Sequence, residues 1–213
     1  ALVGLNTHPN PRRVLIIGGG DGGTLREVVK HPKVEKATMV EIDARVVEAS
    51  KLYLPEISSA LHGNPRAEVL IEDGIRYVKE NKNTFDMIIV DSTEPVGPAV
   101  GLFSAEFYQS IFEALKDDGL FVAQTESPFF NADLIRRVYR DIAGIYPIAK
   151  LFLAYVPTYP SGMWSFTMGS KKYDPEAIVE ENCPDLKSRY YTPAVHKAAF
   201  KLPQFVQKLL KTD

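Results

Sequence analysis

The sequence predicts a doubly wound, Rossmann-like α/β fold, with a mostly parallel sheet and helices on both of its faces. Short apolar runs alternate with amphipathic stretches along most of the chain, which is the pattern of repeated βα units. The first run, residues 14–18, ends in a glycine-rich turn, as the nucleotide-binding corner of such folds does. The fourth run, FDMIIVD at residues 85–91, is almost continuously apolar, as a central strand covered on both faces requires.

The individual elements follow from the period of the apolar residues. The predicted strands cover residues 14–18, 37–43, 67–72, 85–91 and 119–125. Helices are predicted at residues 24–30 and 44–52, around Tyr77 and Val78, and at residues 104–115 and 133–145. Two later apolar runs, residues 150–156 and 165–169, flank a Pro/Gly turn, and they predict an antiparallel pair at the edge of the sheet.

Composition limits the class of protein. The 213 residues suffice for one sizeable domain, and 45% hydrophobic residues are ordinary for a globular chain. We expect a Rossmann-like catalytic domain at residues 1–170 and a more polar extension at residues 171–213 that packs on it. The net charge of −2 gives no electrostatic reason to expect nucleic acid or an anionic membrane as a partner.

Cysteine usage and the first residue add two further expectations. Cys183 is the only cysteine, so no intrachain disulfide is possible, and we expect a reducing, cytoplasmic location. No apolar run approaches the ~18 residues of a membrane-spanning helix. The chain opens on Ala1 rather than Met, so we expect a piece of a longer protein.

The turn at residues 18–23, GGGDGG, contains an unexpected charge. Its glycines let the backbone approach a ligand closely, because no Cβ is in the way. Such a turn usually receives a phosphate at the N terminus of the following helix, and the carboxylate of Asp21 would repel a phosphate. We therefore expect a ligand that carries positive charge at this point.

Acidic residues end the first four predicted strands, namely Asp21, Glu41 with Asp43 beside it, Asp73 and Asp91. Doubly wound sheets bind ligands along this edge. Glu41 lies about 20 residues beyond the turn, where an acid accepts hydrogen bonds from ribose hydroxyls, although a solvated charge would also fit. Asp73 with Gly74 suits an adenine amine and its ring, although a helix N-cap would also explain this pair.

The segment DSTEPVGPA, residues 91–99, favours a particular chemistry. Asp91 ends a buried strand, where a carboxylate is costly without a partner. With Asp21 and Glu94 it would form an anionic pocket that binds a diamine and lets one acid take a proton from an ammonium group. The alternative is a structural Asx turn. Tyr159 and Trp164, in PTYPSGMW, offer faces for alkyl chains and cations, although aromatic residues also serve as core.

Five motifs together resemble the spermidine synthases, the polyamine aminopropyltransferase family, in their bacterial form. They are GGGDGG, VEID at residues 40–43, EDG at 72–74, DSTEPVGPA and PTYPSGMW, and the resemblance extends from about residue 7 to about residue 209. It implies the sheet of the S-adenosylmethionine-dependent methyltransferase type, with an antiparallel edge strand. It also implies transfer of an aminopropyl group from decarboxylated S-adenosylmethionine to putrescine, which gives spermidine and methylthioadenosine.

The resemblance further implies a role for each matching residue. Asp91 would be the catalytic acid that accepts the proton, and Asp21 would bind the aminopropyl amine of the donor. Glu41 would bind the ribose. The remaining matches fall into adenosine contacts, which are Asp73, Gly74 and Pro98, and polyamine contacts, which are Asp21, Asp91, Ser92, Thr93, Glu94, Tyr159 and Trp164.

The family pattern sets three other expectations. We expect no cofactor and no metal, because a sulfonium is already a good leaving group, and the four scattered histidines show no metal-ligand spacing. Relatives assemble as dimers or tetramers, so we expect a homodimer or homotetramer. This chain begins after the small N-terminal β-domain of the family, which contributes to the active site, so we expect weak or no turnover from the 213 residues alone.

Two other functions stay open from the sequence. One is a methyltransferase that uses ordinary S-adenosylmethionine on the same fold, which Asp21 and the acidic segment at residue 91 disfavour. The other is a non-catalytic fragment that binds a nucleoside or a polyamine. Even for an aminopropyltransferase, the acceptor could be cadaverine, agmatine or spermidine in place of putrescine. Glu94, where many relatives have aspartate, bears on that choice.

Overall fold

The computed structural model describes residues 1–211 and contains one seven-stranded sheet. The strands in chain order are β1 (Arg13–Gly18), β2 (Lys36–Glu41), β3 (Ala67–Ile71), β4 (Phe85–Asp91), β5 (Leu115–Gln124), β6 (Ile148–Tyr155) and β7 (Met163–Ser170). Their spatial order is β3-β2-β1-β4-β5-β7-β6. The first five are parallel, whereas β7 runs antiparallel to both β5 and β6. The predicted doubly wound, mostly parallel sheet is therefore confirmed.

The predicted antiparallel pair at the edge of the sheet is confirmed: β6 and β7 pair there, with β6 outermost and β7 next to β5. The start of one strand differs from the prediction. Strand β5 begins at Leu115 rather than at residue 119, because the polar stretch after Leu115 joins the ladder through a register shift opposite Phe85 and Met87. Such a bulge interrupts the apolar alternation from which strands are predicted.

Eight α-helices flank the sheet: α1 (Leu2–Thr7), α2 (Gly23–Lys30), α3 (Ala44–Tyr53), α4 (Gly74–Glu80), α5 (Ala105–Ala114), α6 (Ala132–Ile145), α7 (Pro193–Ala199) and α8 (Gln204–Leu209), counted within residues 1–211. The five predicted helices correspond to α2 to α6. Helix α1 is too short to show a period. It is held by packing, since Leu5 is fully buried and Gly4 lies against Met87 and Val122.

The core forms one apolar layer on each face of the sheet. Along β1, Val14 and Ile16 belong to the layer on one face, while Leu15 and Ile17 belong to the other. All four side chains are buried. This double coverage explains why the central strands β1 and β4 are almost continuously apolar, with polar residues at or next to their ends.

The tail beyond residue 170 packs on the outer side of the same sheet. Phe200 stacks against Phe152 of β6 at 5.3 Å between ring centroids, and Val206 of α8 is buried with Ile135 and Leu151. Residues 212 and 213 of the predicted extension lie outside the described residues, and a boundary at residue 170 stays a prediction. Nowhere in residues 1–211 is a helix both long and apolar enough to cross a membrane.

Gly169 of β7 lies in close contact with the aromatic side chains that cover one face of the sheet. A Cβ at this residue would lie 2.5 Å from Cε1 of Phe121 and 2.8 Å from the ring of Tyr146. We expect Gly169→Ala to lower the free energy of unfolding by about 1–3 kcal/mol, because overpacking forces rings off their rotamers. Gly144→Ala, on α6 with open space around its Cβ, should instead raise the free energy by up to about 1 kcal/mol. Urea denaturation measures both, and equal effects would contradict the prediction.

Candidate active site

A cavity of about 450 Å³ opens at the carboxyl ends of the parallel strands. Part of its wall is formed by apolar side chains such as Ile17, Val40 and Ile75, and polar side chains line the rest. The structure brings together most of the residues that the sequence singled out: Asp21, Glu41, Asp73, Gly74, Asp91, Ser92, Thr93, Pro98 and Tyr159 all line this cavity. Glu94 and Trp164 are not among the lining residues.

The glycine turn lies directly over the end of β4. Gly18 pairs with Asp91 across the sheet, and the amide of Gly19 donates to the Asp91 carbonyl oxygen at 2.8 Å. Both glycines have positive φ, 79° and 68°, and a Cβ at Gly18 would lie 2.3 Å from that carbonyl oxygen. Only glycine tolerates this combination. The close approach lets the turn present Asp21 beside Asp91.

Glu41 ends β2 on the opposite side of the turn. Its Oε1 accepts a hydrogen bond from the amide of Asp43 at 3.0 Å, which fixes the direction of the carboxylate. Its Oε2 lies so near the turn that a Cβ at Gly20 would be 2.9 Å away. The carboxylate is therefore held at the cavity wall, where a ligand lying over the turn can donate to it.

Asp73 is the N-cap of α4, and its Oδ1 accepts hydrogen bonds from the amides of Ile75 and Arg76 at 2.8 and 3.4 Å. Capping uses one carboxylate oxygen, and the other accepts no hydrogen bond within residues 1–211. Asp73 also lines the cavity, so capping and ligand binding are compatible. Gly74 lies against Ile17, where a Cβ would come within 2.5 Å of Cγ2, and this leaves room for a flat ring.

Asp91 is an acid of the cavity whose pKa is raised. Burial raises the pKa of its carboxyl above the ordinary value, and the nearby carboxylate of Asp21 acts in the same direction. The hydroxyl of Thr24 opposes this rise by donating to Oδ2 at 2.6 Å. A carboxyl with a raised pKa next to an open cavity is suited to exchange a proton with a ligand.

Trp164 takes a different position from the one expected. It is buried, with 6% of its surface exposed, and its ring packs on Tyr159 at 4.3 Å between centroids. Its indole N–H donates to Oε1 of Gln124 at 2.7 Å, and Gln124 in turn donates to the Ser92 carbonyl at 2.7 Å. Trp164 therefore supports the wall behind Tyr159, and a direct polyamine contact for it stays a prediction without support from this geometry.

Two further acidic residues, Glu94 and Glu126, are not among the residues that line the cavity. The sequence analysis did not single out Glu126. Glu94 is exposed, and Glu126, two residues beyond the end of β5, is only 1% exposed with φ at 74°. Burial raises the pKa of Glu126, and the charge of Glu94 adds to the rise. Asn131 donates to the Glu126 carboxylate at 3.2 Å. The sequence contained the signal, since Glu126 ends the fifth strand as the other acids end the first four.

Histidines play no part in this cavity. Burial lowers the pKa of His31 and of His196 to about 4. The two ring nitrogens of His196 are occupied by the Tyr191 hydroxyl at 2.8 Å and the Pro175 carbonyl at 2.9 Å. Within residues 1–211, no group of three or more His, Cys, Asp or Glu side chains is placed to hold a metal ion.

The cavity is therefore lined by acidic side chains and by no basic side chain of residues 1–211. Its lining includes Asp21, Glu41, Asp43, Asp73 and Asp91, and it includes no Lys, Arg or His within the described part of the chain. Like charges that cannot neutralise each other favour a cationic ligand. The apolar wall beside them suits a flat ring and an alkyl chain.

Comparison with known proteins gives consistent matches. Residues 1–181 match the family model described as "Spermine/spermidine synthase domain". A "Polyamine aminopropyltransferase" of Desulforudis audaxviator is 66% identical over 204 residues, covering 96% of this chain and 74% of that protein. A "Polyamine aminopropyltransferase 1" of Bacillus cereus is 56% identical over 211 residues, covering 99% and 76%.

Two solved structures of spermidine synthases are also similar to this chain. A spermidine synthase in complex with the transition state analogue AdoDATO superposes with a TM-score of 0.95 at 48% identity, covering 99% of this chain and 73% of that one. The spermidine synthase from Thermotoga maritima gives a TM-score of 0.91 at 47% identity, with 99% and 71% covered.

Asp91 predicts a dependence of stability on pH. Because its pKa is raised on folding, the folded state keeps this proton to a higher pH than the unfolded chain, and the group costs stability as the pH rises through that interval. Asp91→Asn removes the titration and keeps an acceptor for Thr24. We expect its Tm to exceed that of the parent chain by about 2–4 °C at pH 7, with a smaller excess at pH 4.

Calorimetry at the two pH values measures this difference. Glu48→Gln, on the exposed side of α3, is the matched control and should show no such pH dependence. A Tm excess for Asp91→Asn that is equal at both pH values would contradict the assignment of the effect to this carboxyl.

Proposed function

The chain belongs to the spermine/spermidine synthase domain family, and from this premise we propose that it transfers the aminopropyl group of decarboxylated S-adenosylmethionine to putrescine. The products are spermidine and methylthioadenosine. The observation that carries the proposal is the anionic cavity, which acids and apolar side chains line and which no basic side chain of residues 1–211 lines. Both substrates are cations, so the site's charge matches them.

The donor would lie across the glycine turn. Glu41, held by the Asp43 amide, is placed to accept from the ribose hydroxyls, and Asp73 keeps one oxygen free for the adenine amine. Pro98 lines the cavity wall and would lie against the nucleoside. Asp21 would then face the aminopropyl ammonium. The carboxylate of ordinary S-adenosylmethionine would be repelled at this point, which selects the decarboxylated donor.

The acceptor would enter between the end of β4 and Tyr159. Asp91 would receive its reacting nitrogen, and Ser92 and Thr93 line the same side of the cavity. Glu94 and Glu126 are outside the cavity lining, and burial together with the Asn131 hydrogen bond keeps the Glu126 carboxylate in one direction. A dicationic diamine would thus bridge an inner and an outer carboxylate, while the ring of Tyr159 covers its methylenes.

The transfer itself needs one proton movement. Putrescine loses a proton from one ammonium group to Asp91, which frees the lone pair of that nitrogen. The nitrogen attacks the methylene next to sulfur, the C–N bond forms, and the C–S bond breaks with its electron pair moving to sulfur. The sulfonium thereby becomes a neutral thioether. Holding the nitrogen and the methylene in line supplies much of the rate.

We propose that neither a metal nor a cofactor takes part, because the positive sulfur already makes methylthioadenosine a good leaving group. The expected homodimer or homotetramer stays a prediction that light scattering tests. The cytoplasmic location is likewise a prediction from the single cysteine, Cys183.

Turnover with each donor tests the function. We expect spermidine from decarboxylated S-adenosylmethionine and putrescine, at least ~100-fold less product from Asp91→Asn, and no methylated amine from ordinary S-adenosylmethionine. Product is quantified by mass spectrometry. Methylthioadenosine binding is measured in parallel. Methylated putrescine would favour the methyltransferase alternative, and binding without any product would favour a non-catalytic role for these residues.

Asp21 predicts donor selectivity. We expect Asp21→Asn to narrow the ratio of affinities for decarboxylated and ordinary S-adenosylmethionine by about tenfold or more, because the charge that repels the carboxylate is lost. Isothermal titration with both donors gives the ratio. Glu72→Gln, a nearby acid outside the cavity lining, is the control. An unchanged ratio for Asp21→Asn would exclude this residue as the source of selectivity.

A further inference from the structure

The carboxylate of Asp91 has a single side-chain donor within residues 1–211. The hydroxyl of Thr24 donates to its Oδ2 at 2.6 Å across 67 residues of sequence, a short distance that is typical of hydrogen bonds to a charged acceptor. Oδ1 accepts no hydrogen bond in this part of the chain. The two oxygens of the acid therefore differ in function, since one is occupied by the protein and one is free.

Thr24 reaches Asp91 because of where helix α2 begins. Gly22, with φ at 79°, ends the turn, and α2 starts at Gly23, so Thr24 is its second residue. A Cβ at Gly22 would lie 2.8 Å from Cγ of Leu61, so the start of the helix cannot shift easily. The backbone at the start of α2 therefore holds the Thr24 hydroxyl within hydrogen-bond distance of Asp91.

We propose that Thr24 is a positioning residue for the aminopropyl transfer: by holding Oδ2 of Asp91, it leaves Oδ1 as the one oxygen that receives the proton of the acceptor amine. The inference rests on the proposed function and extends it to a residue outside the cavity lining. A carboxylate that is free to rotate would offer either oxygen at varying distance from the nitrogen. Fixing one oxygen keeps the proton path and the attack direction aligned.

The same hydrogen bond favours the ionised form of the Asp91 carboxyl. The charged side chain that acts on Asp91 is Asp21 from the turn, which raises its pKa. Tyr159 also faces it from the loop before β7. Burial is the largest influence and raises the pKa, and the Thr24 hydroxyl is the strongest influence that lowers it. Without the hydroxyl, Asp91 would be protonated at a higher pH and could not accept a proton there.

Three threonine variants provide the test. Thr24→Val keeps the shape and removes the hydroxyl, and Thr24→Ser restores a donor. Thr38→Val is the matched control, because Thr38 is a buried residue of β2 outside the cavity lining and also donates to a carboxylate, that of Glu68 at 3.2 Å. Carbon-13 NMR follows the titration of Asp91, and Asp91→Asn identifies its resonance. Titration calorimetry follows putrescine binding to chain saturated with methylthioadenosine, from pH 5 to pH 9.

We expect Thr24→Val to raise the pKa of Asp91 and to weaken putrescine binding about tenfold on the acid side of the profile. Thr24→Ser and Thr38→Val should match the parent chain, and methylthioadenosine affinity should be unchanged throughout. If Thr24→Val does not fold, Thr24→Ala replaces it.

If the pKa of Asp91 is unchanged in Thr24→Val, the proposed role of Thr24 is wrong and the residue is only a structural link between α2 and β4. The same follows if Thr24→Ser does not return the pKa of Asp91 to that of the parent chain. The NMR titration needs no ligand, so it decides the role of Thr24 independently of the proposed reaction. Absence of putrescine binding in the parent chain would instead count against the proposed acceptor.

Discussion

The close approach of the first turn to the end of β4 is the constraint on which the site depends. Gly18 and Gly19 adopt left-handed backbone and lie against Asp91, so near that a methyl group at Gly18 would overlap the Asp91 carbonyl. Because the turn crosses at this distance, Asp21 comes to lie beside Asp91, and Thr24 comes within hydrogen-bond distance of the same carboxylate. A turn with side chains at these positions would have to move outward and separate all three groups.

The cavity shows how a binding site can oppose the stability of its own fold. Several acids share one edge of the sheet without a cation among the lining residues, and burial makes the ionised forms of Asp91 and Glu126 costly. Glu126 adds a positive φ, a conformation that costs about 1–3 kcal/mol in a non-glycine residue. A cationic ligand would relieve the repulsion, so binding and folding of this region are linked.

The side chain of Gln124 links three segments near the cavity: strand β7, the residue after β4 and the residues after β5. Its amide accepts from the Trp164 indole, donates to the Ser92 carbonyl after β4, and lies 3.5 Å from the Glu126 carboxylate. This explains why Trp164, an aromatic residue in a motif near the mouth, ends up behind the cavity rather than in it. Its polar edge is satisfied by Gln124, and its face supports Tyr159, which is 46% exposed.

The sequence by itself determined the order and type of the main elements and the acids that end the strands. Apolar period and glycine turns are local properties, and the carboxyl ends of parallel strands share an edge whatever their loops do, so Asp21, Glu41, Asp73 and Asp91 could be placed without coordinates. Helix α1 could not be predicted, because six residues carry too little period and packing of Leu5 holds them in place.

Only the tertiary structure decided which side chains line the cavity and which ones hold those side chains in place. That Thr24 rather than solvent occupies Oδ2 of Asp91, and that Trp164 lies behind Tyr159, depends on distances between segments far apart in sequence. Chain packing sets those distances, and packing follows from the combined volumes and hydrogen bonds of many residues. No local pattern in the sequence encodes it.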